Sequence, residues 1–180
     1  QRPPLSTVKV LSAASDVYTS QFIDLARLNK PIGFMLLFWP CSWGLAYAYL
    51  DNQNINLFTY YLILFFLGAV LMRSAGCIFN DIVDRDFDKK VTRTKTRPIA
   101  SGKITVWHSL IYMLILCLIA FTIFMQFNIF TIILGMSSML LAFSYPLMKR
   151  INYWLLLFLG ITFNCVMFMS CTAINSSISQ

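Results

Sequence analysis

The chain contains no glutamate, and no acidic residue follows Asp88. Carboxylate chemistry within its 180 residues therefore falls to seven aspartates, four of which, Asp81, Asp84, Asp86 and Asp88, stand within eight residues. Charge of either sign is scarce, at 12% of residues against a hydrophobic share of 58%, and mean hydropathy is +0.70. So few charged groups exclude a solvated globular surface for a domain of this size, and lipid becomes the natural solvent. The five cysteines, Cys41, Cys77, Cys117, Cys165 and Cys171, lack C-x-x-C spacing and lie in apolar runs. That pattern supports neither a disulfide framework nor a zinc site and reads as buried apolar thiols. Internal repeats and low-complexity tracts are absent as well. A cleavable signal peptide does not account for the hydrophobicity, because apolar stretches recur along the whole chain instead of preceding a polar mature protein.

Those stretches approach or exceed the roughly 18 to 20 residues that cross a bilayer. They predict an all-α, polytopic transmembrane bundle of about five spans, at 31–50, 57–79, 106–125, 129–146 and 153–172. Pro31 suits a first helical turn, where its missing N–H costs nothing, and Pro40 predicts a kink within the first span. Residues 1–21 are polar, carry Pro3-Pro4 and read as a mobile or processed leader. Residues 22–180 then form one transmembrane helical domain.

A net charge of +7 would suggest nucleic acid on a soluble protein. Here the basic residues sit in short connections beside apolar runs, so the charge reports topology and the partner is a lipid bilayer, with no nucleic acid. Apart from Arg73, every Lys and Arg lies before span one, between spans two and three, or in a short basic loop at Lys149 and Arg150 between spans four and five. Five spans with alternating connections reproduce that pattern and place the charged loops on the cytoplasmic or matrix side.

The densest charge runs from Asn80 to Lys103. On a helix continuing span two into the headgroup region, Asn80, Asp84 and Asp88 repeat every four residues and Arg73 lies seven before Asn80. The spacing predicts that all four share a face. An amide and two carboxylates in a row suit a hard cation such as Mg²⁺, which keeps several waters and completes its shell with phosphate oxygens. A like-charged stripe is unfavourable by itself, so a cation should compensate it. Two plainer readings compete. A solvated face paired with Arg85, Lys89 and Lys90 is the first, and it leaves Arg73, an intramembrane charge, without a role. The second is an EF-hand over Asp84-x-Asp86-x-Asp88, excluded because Lys89 stands where that loop needs Gly and Lys95 where it needs Glu. Lys89, Lys90, Arg93, Lys95, Arg97 and Lys103 enforce topology, bind anionic lipid or cradle a diphosphate. An ion pathway lined by the aspartates conflicts with their clustering at one membrane face.

Asn80-Asp81-x-x-Asp84-x-x-x-Asp88 resembles the first aspartate-rich motif of the UbiA-type intramembrane prenyltransferases. Leu71-Met-Arg-Ser-Ala-Gly-Cys77, Asp88-Lys-Lys-Val-Thr-Arg-Thr94 and Arg97-Pro-Ile-Ala-Ser-Gly102 extend the match, as do Arg27-Leu-Asn-Lys-Pro-Ile-Gly33 and Ser144-Tyr-Pro-Leu-Met-Lys-Arg150. Together they are similar to the 4-hydroxybenzoate polyprenyltransferase branch over about residues 24–175. The resemblance implies transfer of a polyprenyl group from polyprenyl diphosphate to the ring carbon ortho to the hydroxyl of 4-hydroxybenzoate, in ubiquinone biosynthesis at a bacterial or mitochondrial inner membrane. It implies Mg²⁺ at Asn80, Asp84 and Asp88, with Asp81 beside them as part of the catalytic group. Arg73, Lys89, Lys90, Arg93, Lys149 and Arg150 are implied as diphosphate ligands and Arg27 as the partner of the benzoate carboxylate.

Three departures accompany the match. Asn29 stands where the family usually has Asp. Leu155-Leu156 follows Tyr153-Trp154 where Pro-Gln is usual. Family members have about nine helices and a second aspartate-rich motif, whereas this chain resembles their front portion. The alternative is a truncated, non-catalytic membrane protein that binds Mg²⁺ and lipid diphosphate or needs a partner chain.

Overall fold

The computed structural model describes residues 19–151 and 155–175; for Asn52 and for residues 142–151, 155, 156, 158, 159 and 175 it describes the backbone alone. The described residues contain helices and turns and no strand. A short helix α1 (residues 19–25) precedes α2 (Ile32–Asn52), α3 (Ile55–Val83), the single turn α4 (Arg85–Asp88), α5 (Val106–Phe124), α6 (Ile129–Ile151) and α7 (Leu155–Asn175). By length and composition α2, α3 and α5 suffice to cross a membrane, and α6 and α7 carry shorter apolar stretches at 129–141 and 160–174. The five long helices match the five expected spans. Most of the predicted leader lies outside the described residues, and its last three positions, 19–21, are helical in α1.

Helix ends follow local chemistry. Pro31 takes the position before α2 and accepts from Met35 N–H, and α2 continues through Pro40. Asn54 caps α3 by accepting from Leu57 N–H at 3.2 Å, and Thr105 caps α5 by accepting from His108 N–H at 3.3 Å. Between α5 and α6, Asn128 works in two directions. Its Oδ1 accepts from Thr131 N–H at 2.8 Å, while its Nδ2 donates to the carbonyls of Thr172 and Ala173 at 3.2 and 3.3 Å. One side chain thereby caps α6 and ties that cap to the end of α7.

One expectation needs correction. Lys149 and Arg150 do not form a loop, because α6 continues past Pro146 to Ile151. A proline removes one backbone bond, and a helix packed among others in an apolar setting tolerates that loss.

Helix α2 packs along α7 and α3, α3 along α5, and α6 along α7. At Gly44 the approach of α2 to α7 is so close that a Cβ would collide with Ser170 Oγ and the Met167 carbonyl oxygen. Cys41, Leu45, Ala48, Tyr61, Phe65, Phe127, Val166, Ala173 and Ile174 form one core cluster. A second, at the charged end, joins Leu25, Ala75, Ile78, Ile99, Ile104 and Leu116. Meanwhile Leu36, Trp39, Trp43 and Tyr47 of α2 and Trp107, Leu114 and Leu118 of α5 face outward, as on a helix solvated by lipid. The 29 residues of α3 rise about 43 Å, against roughly 30 Å of hydrocarbon in a bilayer. Its charged end therefore has length to spare.

Candidate functional site

The site is built on the head of α3. Asp84 N–H donates to the Asn80 carbonyl at 2.9 Å and Asp88 N–H to the Asp84 carbonyl at 2.8 Å, so the helical register runs from Asn80 to Asp88. It is not a straight continuation. Asp84 has φ −88° and ψ 2°, away from α-helical values, and separates α3 from α4.

Asp81 and Asp88 turn toward a common cation. Arg97 Nη1 donates to Asp88 Oδ2 at 2.6 Å and to Asp81 Oδ1 at 3.1 Å, and Arg27 Nη2 donates to the same Asp81 oxygen at 2.6 Å. Asp81 is only 3% exposed. Bonds between ionised partners are shorter and stronger than neutral ones. Of the expected stripe, Asp88 is thus compensated by Arg97, while Arg27 joins Arg97 on Asp81 beside it.

Arg27 reaches Asp81 from an unusual backbone. Its φ is 54°, in the left-handed region. Arg27 N–H donates to the Asp24 carbonyl and Leu28 N–H to the Ile23 carbonyl, at 3.1 and 3.2 Å. This is the paired pattern of a Schellman cap ending α1, with arginine where glycine is usual. Asn29 Nδ2 donates to Asp24 Oδ1 at 2.8 Å, a bond that an ionised aspartate at 29 could not make.

The remaining predicted residues are spread around this centre. Asn80 and Asp84 are half-buried, and Lys90 and Arg93 are exposed. Lys89 and Arg85 each approach Asp86 at 3.5 Å in the open. Arg73 is exposed and lies against the first turn of α2, where a Cβ on Gly33 would stand 3.0 Å from its Nε. It makes no ion pair with a described residue. The side chains of Lys149 and Arg150 lie outside the described residues. Sequence reasoning gave Arg97 no role distinct from its basic neighbours, yet it bridges two of the four clustered aspartates. The isoleucines Ile99 and Ile104 in a connection rich in charge were the available signal that this loop folds back.

Two cavities flank the site. A polar one of about 550 Å³ is lined by Asp24, Arg27, Lys30, Asp81, Arg93 and Arg97 among others. An apolar one of about 410 Å³ lies among α2, α3, α5, α6 and α7, with Phe65, Gly68, Ala69 and Met72 contributed by α3. Met72 and Asn80 are eight residues apart on that helix, about 12 Å along its axis.

Among the described residues no three His, Cys, Asp or Glu side chains gather as a metal cage would need. The donors present are the Asn80 amide oxygen and the Asp84 and Asp88 carboxylates, with Asp88 Oδ2 engaged by Arg97. Such a set fits a hard cation that takes part of its shell from water and phosphate, and does not fit a metal wanting an all-protein site.

Comparison with known proteins identifies the family. Residues 37–180 match the model of the UbiA prenyltransferase family. The chain is 46% identical over 158 residues to the mitochondrial 4-hydroxybenzoate polyprenyltransferase of Arabidopsis thaliana, covering 88% of this chain and 38% of that protein. It is 41% identical to the mitochondrial 4-hydroxybenzoate polyprenyltransferase of Caenorhabditis elegans, covering 98% and 49%. The 4-hydroxybenzoate octaprenyltransferase of Hydrogenovibrio crunogenus is 41% identical, with 87% and 54% covered. The chain thus spans about half the length of the relatives it matches. A solved apo structure of a UbiA homolog from Aeropyrum pernix K1 superposes with a TM-score of 0.64 at 24% identity, over 79% of this chain and 51% of that one, a likeness of fold. Motif, helical architecture and these relatives agree: the chain belongs to the UbiA prenyltransferase family.

Proposed function

We propose that these residues form part of an enzyme that transfers a polyprenyl group from polyprenyl diphosphate to the ring carbon ortho to the hydroxyl of 4-hydroxybenzoate, in ubiquinone biosynthesis. The observation that carries this reading is the pairing of opposites on α3. An oxygen-rich head runs from Asn80 through Asp84 to Asp88, and Asn80 lies about 12 Å along the helix axis from Met72, which lines an apolar cavity. That arrangement suits an amphiphile with a charged head and a hydrocarbon tail. The names of the relatives support the identity of both substrates.

Asn80, Asp84 and Asp88 are assigned to hold Mg²⁺, which when bound would neutralise diphosphate charge as the allylic C–O bond breaks. Arg73, Lys89, Lys90 and Arg93, with Lys149 and Arg150, are assigned to share the charge on the departing group. The ring carbon would then bond to the allylic cation and lose its proton to water or the departing diphosphate, restoring the aromatic ring, while the apolar cavity walls keep water from competing for the cation. Arg27 is assigned to the benzoate carboxylate. Its Nη2 is engaged by Asp81 while the residue lines the polar cavity, so the carboxylate would approach its other nitrogens. Basic loops on the cytoplasmic or matrix side would put the reaction at that surface.

A second reading is favoured by one observation, that among the described residues no three His, Cys, Asp or Glu side chains gather as a metal site would need. In it the protein binds Mg²⁺ and lipid diphosphate without turning them over, or needs a partner chain. Membranes containing the protein, given 4-hydroxybenzoate, a long polyprenyl diphosphate and Mg²⁺, decide between them. Formation of 3-polyprenyl-4-hydroxybenzoate that Asp84→Ala abolishes is expected. Undiminished product from that variant overturns the metal assignment, and magnesium-dependent diphosphate binding without product establishes the second reading.

A further inference from the structure

The connection from residue 89 to residue 105 carries Lys89, Lys90, Arg93 and Lys95 and contains no long helix, yet it is fastened to the bundle at three levels. Near its start, Thr94 Oγ1 donates to the Asp88 carbonyl at 3.1 Å in a buried bond. Toward its end, Ile99 and Ile104 are buried with Leu25, Ile78 and Leu116, and Ile104 N–H closes back on the Pro98 carbonyl. Between these anchors Arg97, 26% exposed, inserts its guanidinium between Asp81 of α3 and Asp88 of α4. A single nitrogen, Nη1, serves both carboxylates.

The backbone change at Asp84 gives this bridge its importance. Because α3 ends there, helical hydrogen bonding alone does not hold α4 rigidly to α3, and the position of the Asp88 side chain relative to Asn80 and Asp84 depends on what grips it. Arg97 grips one of its two oxygens and ties it to Asp81, a buried residue on the longest helix of the bundle. Asp81 is itself held from the other side by Arg27. A partner that orients a metal-binding carboxylate commonly matters to the metal nearly as much as the carboxylate itself.

We propose that Arg97 is a positioning residue: by bridging Asp81 and Asp88 it sets the third donor of the Asn80–Asp84–Asp88 series and docks the basic 89–105 connection over it. This rests on the metal assignment made above, and the test separates the two. Mn²⁺ serves as the probe, with affinity read by electron paramagnetic resonance on the protein in nanodiscs, and trypsin cleavage after Lys89, Lys90, Arg93 and Lys95 reads the docking of the connection. Arg97→Met keeps the reach of the side chain and removes its donors and charge. It is expected to weaken Mn²⁺ binding about tenfold and to speed cleavage. Arg97→Lys, whose ammonium can also donate to two carboxylates, is expected to recover most of both losses. Should Arg97→Met fail to accumulate, Arg97→Gln takes its place with the same expectations.

Wild-type affinity and wild-type cleavage in the Met or Gln variant overturn the proposal. If the wild-type protein shows no saturable Mn²⁺ binding and Asp84→Asn behaves identically, the metal assignment fails instead. The cleavage rates then decide by themselves whether Arg97 docks the connection, faster cutting in the variant upholding the bridge and unchanged cutting overturning it.

Discussion

Arg27 holds Asp81 from a left-handed backbone: its φ is 54° and its Nη2 lies 2.6 Å from Asp81 Oδ1. For a residue with a Cβ that conformation costs about 1 kcal/mol or somewhat more, which a glycine would not incur. The ion pair to a buried carboxylate opposes this, since hydrogen bonds to charged groups contribute about 1.5 to 3 kcal/mol. Partial exposure of Arg27 puts its contribution toward the lower end of that range.

Two substitutions separate these terms. Arg27→Gly loses the pair and relieves the backbone, whereas Arg27→Ala loses the pair and keeps the strain. Thermal unfolding in detergent should rank wild type above Arg27→Gly and Arg27→Gly above Arg27→Ala, with the two variants about 1 kcal/mol apart. Equal stability of the two variants would show that the backbone at position 27 relaxes at no cost.

At Gly44 the nearest obstacle to a Cβ is the Met167 carbonyl oxygen together with Ser170 Oγ, and a backbone oxygen does not swing aside as a side-chain tip does. Gly44→Ala must therefore push α2 away from α7, with an overpacking cost of about 1 to 3 kcal/mol. Gly76, an exposed position on α3 where a Cβ would meet nothing within 4 Å, is the control. Gly76→Ala should unfold no earlier than wild type, because alanine is the better helix former. Comparing the two melting curves checks whether the α2–α7 crossing is as close as the structure has it.

Asn128 offers a test in which two good helix caps behave differently. Asp and Ser are both strong caps, so either should satisfy Thr131 N–H. Only the amide, however, also donates to the Thr172 and Ala173 carbonyls. Asn128→Asp sets a carboxylate against two carbonyl oxygens, and Asn128→Ser merely leaves them. The Asp variant should be the less stable of the two by about 1 kcal/mol or more, as measured by chemical or thermal unfolding. The reverse order would mean that α6 and α7 are joined at this end by other contacts.

Much of this architecture was legible from apolar run lengths. Helices α2, α3, α5 and α7 begin and end within a few residues of the stretches read from the sequence. The exception was α6, where Pro146, Lys149 and Arg150 looked like the end of a span and are helical. A proline and two charges mark a probable boundary in isolation, but a helix packed among others can carry them across it.

The candidate site was legible in its composition and less so in its pairings. Spacing by four predicts one shared face for Asn80, Asp84 and Asp88, and backbone bonds run from Asp84 N–H to the Asn80 carbonyl and from Asp88 N–H to the Asp84 carbonyl. The same arithmetic could not reveal the break at Asp84. Nor could it show that Arg97, and not Arg73, sits beside the aspartates: six basic residues share one connection, and helical periodicity says nothing about which of them folds back. Only the buried positions of Ile99 and Ile104 resolve that.

The surplus length of α3 bears on what a membrane-dissolved substrate would have to surrender. Withdrawing an isoprenoid from lipid into water costs on the order of 0.8 kcal/mol for every methylene uncovered. On the proposed reading, a helix rooted in hydrocarbon that lifts its acidic tip to the boundary would meet the reactive end of such a molecule there. The greasy remainder never has to leave its solvent.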